Sequence, residues 1–124
     1  MIKRPSKKEL FNKIREAREY VSADQIEIVD AVSLAADAVE VGYDIGTELT
    51  ALLDELLNGI SPDHYTGSRP PQKSYETVIQ NLELFAFSAT SVMVENRIYL
   101  KFALAGGKLW LVSLHKDRPF KKGE

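Results

Sequence analysis

The stretch Arg97-Ile98-Tyr99-Leu100-Lys101-Phe102-Ala103-Leu104-Ala105-Gly106-Gly107-Lys108-Leu109-Trp110-Leu111-Val112-Ser113-Leu114-His115-Lys116-Asp117-Arg118 decides how this chain is read. Two runs of aliphatic, aromatic and β-branched residues flank a glycine pair, where positive φ costs least, so the stretch reads as an antiparallel hairpin. Its register decides which side chains meet water. A two-residue loop pairs Ala105 with Lys108 and puts Ile98, Leu100, Phe102 and Leu104 on one face with Leu109, Leu111, Ser113 and His115. That splits the large residues between faces. An odd-numbered loop, with a bulge beside the glycines, groups the same four residues with Trp110, Val112 and Leu114. A one-residue slip exchanges faces, and leaving a large apolar side chain in water forfeits ~1.5 to 3 kcal/mol, so the odd loop is the expected register. Trp110 is then buried, and the face left to water carries Tyr99, Lys101, Ser113 and His115 together.

Upstream of the hairpin the pattern is mainly helical. Ser6-Lys7-Lys8-Glu9 has capping-box spacing, and Leu10, Phe11, Ile14, Ala17 and Val21 recur at helical intervals, which places a first helix over about 7 to 22. Residues 25 to 30 alternate over a short run and read as an edge strand or extended connector. A second helix fits Ala31 to Val41, with Gly42 positioned to end it in the left-handed region. Asp44 can cap a third, in which Leu49, Leu52, Leu53, Leu56 and Leu57 form a core stripe that stops at Asn58-Gly59. Ser61-Pro62 opens one further helical turn, and a loop with two prolines occupies 67 to 74. Residues 82 to 94 alternate again and Glu95-Asn96 turns the chain into the hairpin. Helices first and a meander afterwards make an α+β fold, with N-terminal helices packed on one face of a C-terminal antiparallel sheet.

Composition narrows the function classes. With 124 residues, 44% of them hydrophobic, the chain suits a single domain spanning 1–124. No apolar run approaches the ~18 residues of a membrane span, and the Met1-Ile2-Lys3-Arg4-Pro5-Ser6 start lacks the apolar stretch of a secretory signal, so a cytoplasmic protein without a membrane partner is expected. Zero cysteines and two histidines offer little to a structural metal, and neither a phosphate-binding loop nor a dinucleotide glycine pattern occurs. Chemistry without metal or cofactor is expected. The net charge of −2 divides by position: residues 1 to 18 hold seven Lys/Arg against two acids, 19 to 65 hold eleven acids and no Lys/Arg, and 66 to 124 hold nine Lys/Arg against five acids. A polyanion would therefore be repelled by the segment 19 to 65 and held by the C-terminal half.

Ile98-Tyr99-Leu100-Lys101-Phe102 and Val112-Ser113-Leu114-His115 resemble the last two strands of the MqsR family of type II toxin–antitoxin toxins, within the RelE-like fold. Lys3-Arg4-Pro5-Ser6 and Ser61-Pro62-Asp63-His64-Tyr65-Thr66-Gly67 are similar to that family's start and its loop segment. Two positions depart from the best-known branch: His115 stands where a lysine follows the Val-Ser-Phe stretch, and Thr66 replaces the lysine after the loop tyrosine. The resemblance implies a metal-independent endoribonuclease, or mRNA interferase, acting on mRNA, silenced by a cognate antitoxin protein and working with or without the ribosome. Such cleavage needs a base for the 2′-hydroxyl proton, an acid for the 5′-oxygen and cations for the charge that builds on phosphorus. His115, Tyr99 and Lys101 are the expected catalytic residues, since imidazole titrates near neutrality, lysine is a fixed cation and tyrosine can orient a phosphate or stack on a base. Tyr65, Arg69 and Lys73 from the loop, with Lys116 and Arg118 beyond the last strand, are the expected substrate-binding residues. The alternative is a non-catalytic domain that uses the same sheet to bind protein or RNA.

Overall fold

The computed structural model describes residues 4–117; Arg118, expected to bind substrate, lies outside the described residues. Three helices, α1 (Lys7–Ser22), α2 (Ala31–Val41) and α3 (Ile45–Gly59), precede the strands β2 (Phe85–Ser91), β3 (Asn96–Ala105) and β4 (Lys108–Lys116), while a short strand β1 (Ile26–Ile28) lies between α1 and α2. The fold is α+β, as the order of patterns implies. The sheet runs β1-β4-β3-β2, with β2, β3 and β4 antiparallel and β1 added in parallel along the outer edge of β4. The short alternating run 25 to 30 is thus an edge strand whose partner is the last strand in sequence.

Each helix starts and stops for a local reason. The Ser6 hydroxyl accepts from the Glu9 amide, satisfying one free N–H of the first turn of α1. The Glu9 carboxylate does not return to Ser6 as a capping box requires; it takes the Arg4 guanidinium at 2.6 Å, a stronger, charged donor. Asp30 caps α2 by accepting from the Ser33 amide, and Gly42 ends that helix at φ 97. Asp44 occupies the N-cap of α3, but its side chain accepts from the Thr47 hydroxyl and its backbone N–H donates to the Glu48 carboxylate.

Leu10, Ile14, Ala17 and Val21 of α1, Leu34, Ala38 and Val41 of α2, and the five leucines of α3 meet Phe85, Phe87, Ile98, Leu100, Phe102, Leu109, Leu111 and Leu114 in one core. That list corrects the expected register. Gly106 and Gly107 both take positive φ, 61 and 74, so the hairpin closes through a two-residue loop with Ala105 opposite Lys108. Leu109 and Leu111 consequently face the helices, while Trp110 sits opposite Ala103 on the other side of the sheet. The odd step falls further along: Phe102 pairs with Leu111 and Lys101 with Ser113, leaving Val112 as the extra residue of a β-bulge. Beyond it the phase is shifted by one, so Leu114 also faces the core and His115 does not.

Trp110 and Val112 tolerate the outer face because it is not bare at that end. Ile79, Leu82 and Leu84 cover it, joined by Val29 and Ala103, and the Trp110 indole donates to the Ala105 carbonyl at 3.2 Å. The segment before β2 is therefore a strap over half the outer sheet face, and the strand proper starts at Phe85 rather than at residue 82. The turn between β2 and β3 occupies 92 to 95, with Glu95 at φ 53. Glu55 of α3 holds that turn: its carboxylate accepts from the Ser91 hydroxyl at 2.6 Å and from the Val92 amide at 2.6 Å.

Two outcomes follow from these contacts. Glu55→Ala removes the acceptor for the proton of the fully buried Ser91 hydroxyl, which keeps only the bond it accepts from the Val94 amide, and should cost ~1 to 3 kcal/mol in urea unfolding, whereas Asp54→Lys one residue away should change stability by less than ~0.5 kcal/mol. The Tyr43 hydroxyl is buried without a hydrogen-bond partner among the described residues, and burial, aided by the Asp37 charge, pushes its pKa from 10.0 up to about 12. A phenol that ionises later in the folded state favours folding fully below pH 10.0, and that contribution is lost as pH rises towards about 12. Thermal unfolding across this window should show Tyr43→Phe losing less stability than the parent; equal losses would contradict the assignment.

Candidate functional site

The other half of the outer sheet face, where Ala86 and Ser88 are buried and Tyr99, Lys101 and His115 are partly exposed, is built by three cross-strand rows. Tyr99 stands between Ser88 and His115, Lys101 between Ala86 and Ser113, and Arg97 beside Thr90. Ile98 and Leu100, which alternate with them, are buried against the helices, so Arg97, Tyr99 and Lys101 must project from the opposite face. On that face β2 contributes only small side chains, Ala86, Ser88 and Thr90, so nothing bulky from that strand stands over Tyr99 and Lys101.

The Tyr99 and His115 rings stack, with centroids 5.0 Å apart and planes 19° from parallel. His115 Nδ1 lies 2.8 Å from the Lys116 carbonyl oxygen. A carbonyl can only accept, so this bond places a proton on Nδ1; in the neutral imidazole Nε2 is then the nitrogen that carries the lone pair, the tautomer a general base needs. Burial, reinforced by the Asp117 carboxylate, raises the Tyr99 pKa above its ordinary value. That phenol keeps its proton at neutral pH and can offer it to an anion as a hydrogen bond. Arg97 Nε donates to Asp117 at 2.9 Å, and the Asp117 amide donates to the Arg97 carbonyl at 2.8 Å, so side chain and backbone both close the end of the β3–β4 ladder.

The residues expected to bind substrate are distributed differently. Tyr65 bridges to Phe87, and their rings meet edge to face at 5.6 Å in the helix-side core, with the Tyr65 hydroxyl within electrostatic reach of the Tyr99 phenol. Burial raises the Tyr65 pKa, and its hydroxyl donates to the Ser68 carbonyl. The Arg69 guanidinium lies 5.0 Å from the Tyr65 ring centroid and donates to the Pro5 carbonyl at 2.7 Å, so it ties the loop to the N-terminal segment. Lys73 bridges to Glu83 through the backbone, and the Glu83 carboxylate in turn holds Arg4, which lowers the Glu83 pKa. Lys116 pairs with Ile98, which directs its side chain to the core-side face and leaves its carbonyl, not its ammonium, at the site. His64 accepts from the Ser61 amide at 2.9 Å and serves a 3-10 turn over Pro62–His64. The two histidines are thus one structural and one on the open face.

Arg97 is the residue that the sequence reading did not single out. Its signal was available, since Arg97, Tyr99 and Lys101 recur at the two-residue period of a strand. Compared with protein-family models and with curated proteins, the chain matches none. No helix among the described residues is long and apolar enough to cross a membrane.

Gly67 supplies a test of how the Tyr65 loop is held. A Cβ there would fall 2.6 Å from the Tyr65 hydroxyl, closer than side chains pack, so Gly67→Ala must shift either the Tyr65 ring that packs on Phe87 or the loop itself. The expected cost is ~1 to 3 kcal/mol in denaturant unfolding, and less when combined with Tyr65→Ala, which removes the clash.

Proposed function

We propose that this chain is the toxin of a type II toxin–antitoxin pair of the MqsR kind, a metal-independent endoribonuclease that cleaves mRNA at the open face of its sheet. The observation that carries the reading is the Tyr99–His115 stack with its pinned Nδ1 proton, set beside Lys101. In the proposed reaction His115 Nε2 takes the proton of a ribose 2′-hydroxyl, and that oxygen attacks the adjacent phosphorus. The bond from phosphorus to the 5′-oxygen breaks, and a proton returns to the departing oxygen. Lys101 offsets the charge on the pentacoordinate phosphorus, while the protonated Tyr99 phenol donates to one of its oxygens. Products are a 2′,3′-cyclic phosphate and a 5′-hydroxyl, because the nucleophile belongs to the substrate. A cognate antitoxin would silence the activity by covering this face.

Cleavage of a single-stranded RNA in EDTA should fall ~10²- to 10⁴-fold in His115→Ala while RNA binding persists. RNA with a 2′-deoxy linkage at the cut site should resist. Full activity in His115→Ala, or cleavage of the deoxy linkage, would contradict the mechanism. Binding of uncleaved RNA to the same face would instead support the non-catalytic reading.

A further inference from the structure

Arg97 is held differently from the other arginines whose contacts are described. Arg4 is bound to two carboxylates, with Glu9 at 2.6 Å and Glu83 at 2.9 Å, and Arg69 is committed to the Pro5 carbonyl and the Tyr65 ring. Among the described residues Arg97 gives only Nε to Asp117, and its side chain remains 58% exposed against 24% for the aspartate. Guanidinium carries five N–H donors in a planar fork, so the Nη edge of Arg97 has donors left over in the geometry that suits a phosphate. The Asp117 carboxylate restrains the side chain from the opposite edge, which reduces the entropy lost when an anion docks.

Position adds a second argument. Arg97, Tyr99 and Lys101 project from one face of β3 at successive steps of ~6.5 Å, a rise comparable with the step between successive phosphates of an extended nucleic-acid strand. β2 contributes only Ala86, Ser88 and Thr90 alongside; Ala86 and Ser88 are buried, so the groups on this face that an RNA strand can reach are the partly exposed side chains of β3 and His115. With the Tyr99–His115 stack at the centre, cations stand one step to either side of it.

We propose that Arg97 is a phosphate-binding residue of this face, holding the phosphate adjacent to the scissile one on an RNA strand that runs along β3. The inference rests on the ribonuclease reading for its substrate class and extends it to a residue outside the reacting group. Arg97 is here a positioning residue; Lys101 and the stack act on the phosphate that reacts.

The test is binding of a short single-stranded 2′-O-methyl RNA, whose blocked 2′-oxygen prevents cleavage, measured over a series of salt concentrations with thermal unfolding of each variant alongside. Arg97→Ala should weaken binding about tenfold and lower the salt slope by about one, whereas Arg97→Lys keeps the slope at reduced affinity. Asp117→Asn removes the negative charge but keeps the Arg97 charge and an amide oxygen that can accept from Nε and so retain the restraint, so it should bind no more weakly than the parent. If Arg97→Ala and Asp117→Asn lose stability alike and neither changes the salt slope, Arg97 only closes the ladder and the proposal is overturned. Failure of the parent protein to bind the RNA at all would instead overturn the ribonuclease reading on which the proposal rests.

Discussion

The bulge at Val112 is the constraint on which the described structure depends. The glycine pair closes a two-residue turn, which fixes Leu109 and Leu111 towards the helices, yet the same strand carries Leu114, which has the opposite parity. A straight ladder could bury one set or the other, and stranding Leu114 would forfeit ~1.5 to 3 kcal/mol. One extra residue reconciles them. The same phase shift that turns Leu114 inward turns His115 outward, onto Tyr99. Core packing and the candidate site are therefore settled by one irregularity, and neither can change without the other.

Much of the helical layer was legible because its signals are local. Ser6 and Gly42 do what capping chemistry asks of them, and the leucines of α3 are buried where the 3.6-residue period puts them. The hairpin was legible at its open end and misread at its turn. The expectation assumed that the face away from the helices meets water, in which case Trp110 and Val112 belong in the core. The strap of Ile79, Leu82 and Leu84 removes that premise by giving these side chains a second, smaller core. A local pattern cannot show that a loop folds back over a sheet, although three large aliphatic residues just before a strand were a signal that something needed covering.

The same distinction applies to the site. Tyr99 and Lys101 could be grouped from strand alternation, which is a geometric rule; His115 joined them on the expectation of an odd loop at the glycines, and it stands opposite Tyr99 because the extra residue is Val112 instead. Tyr65, Arg69 and Lys73 were grouped by residue type along a loop, and they are instead committed to the core, to the Pro5 carbonyl and to the Glu83 bridge. Charge in a loop says little about where the loop packs. Arg97 shows the converse: alternation places it on the site's face, and its side-chain bond to Asp117 is what distinguishes it, among the described residues, from a surface arginine.

The bulge can be observed directly by solution NMR as the set of cross-strand contacts between β3 and β4. The account predicts contacts of Ala103 with Trp110 near the turn together with contacts of Tyr99 with His115 at the open end, a combination that only a one-residue shift between them allows. Contacts of Tyr99 with Leu114 would mean a straight two-residue hairpin, and contacts of Phe102 with Val112 would mean that the shift lies at the glycines. Either result would contradict the bulge at Val112 and the site built on it.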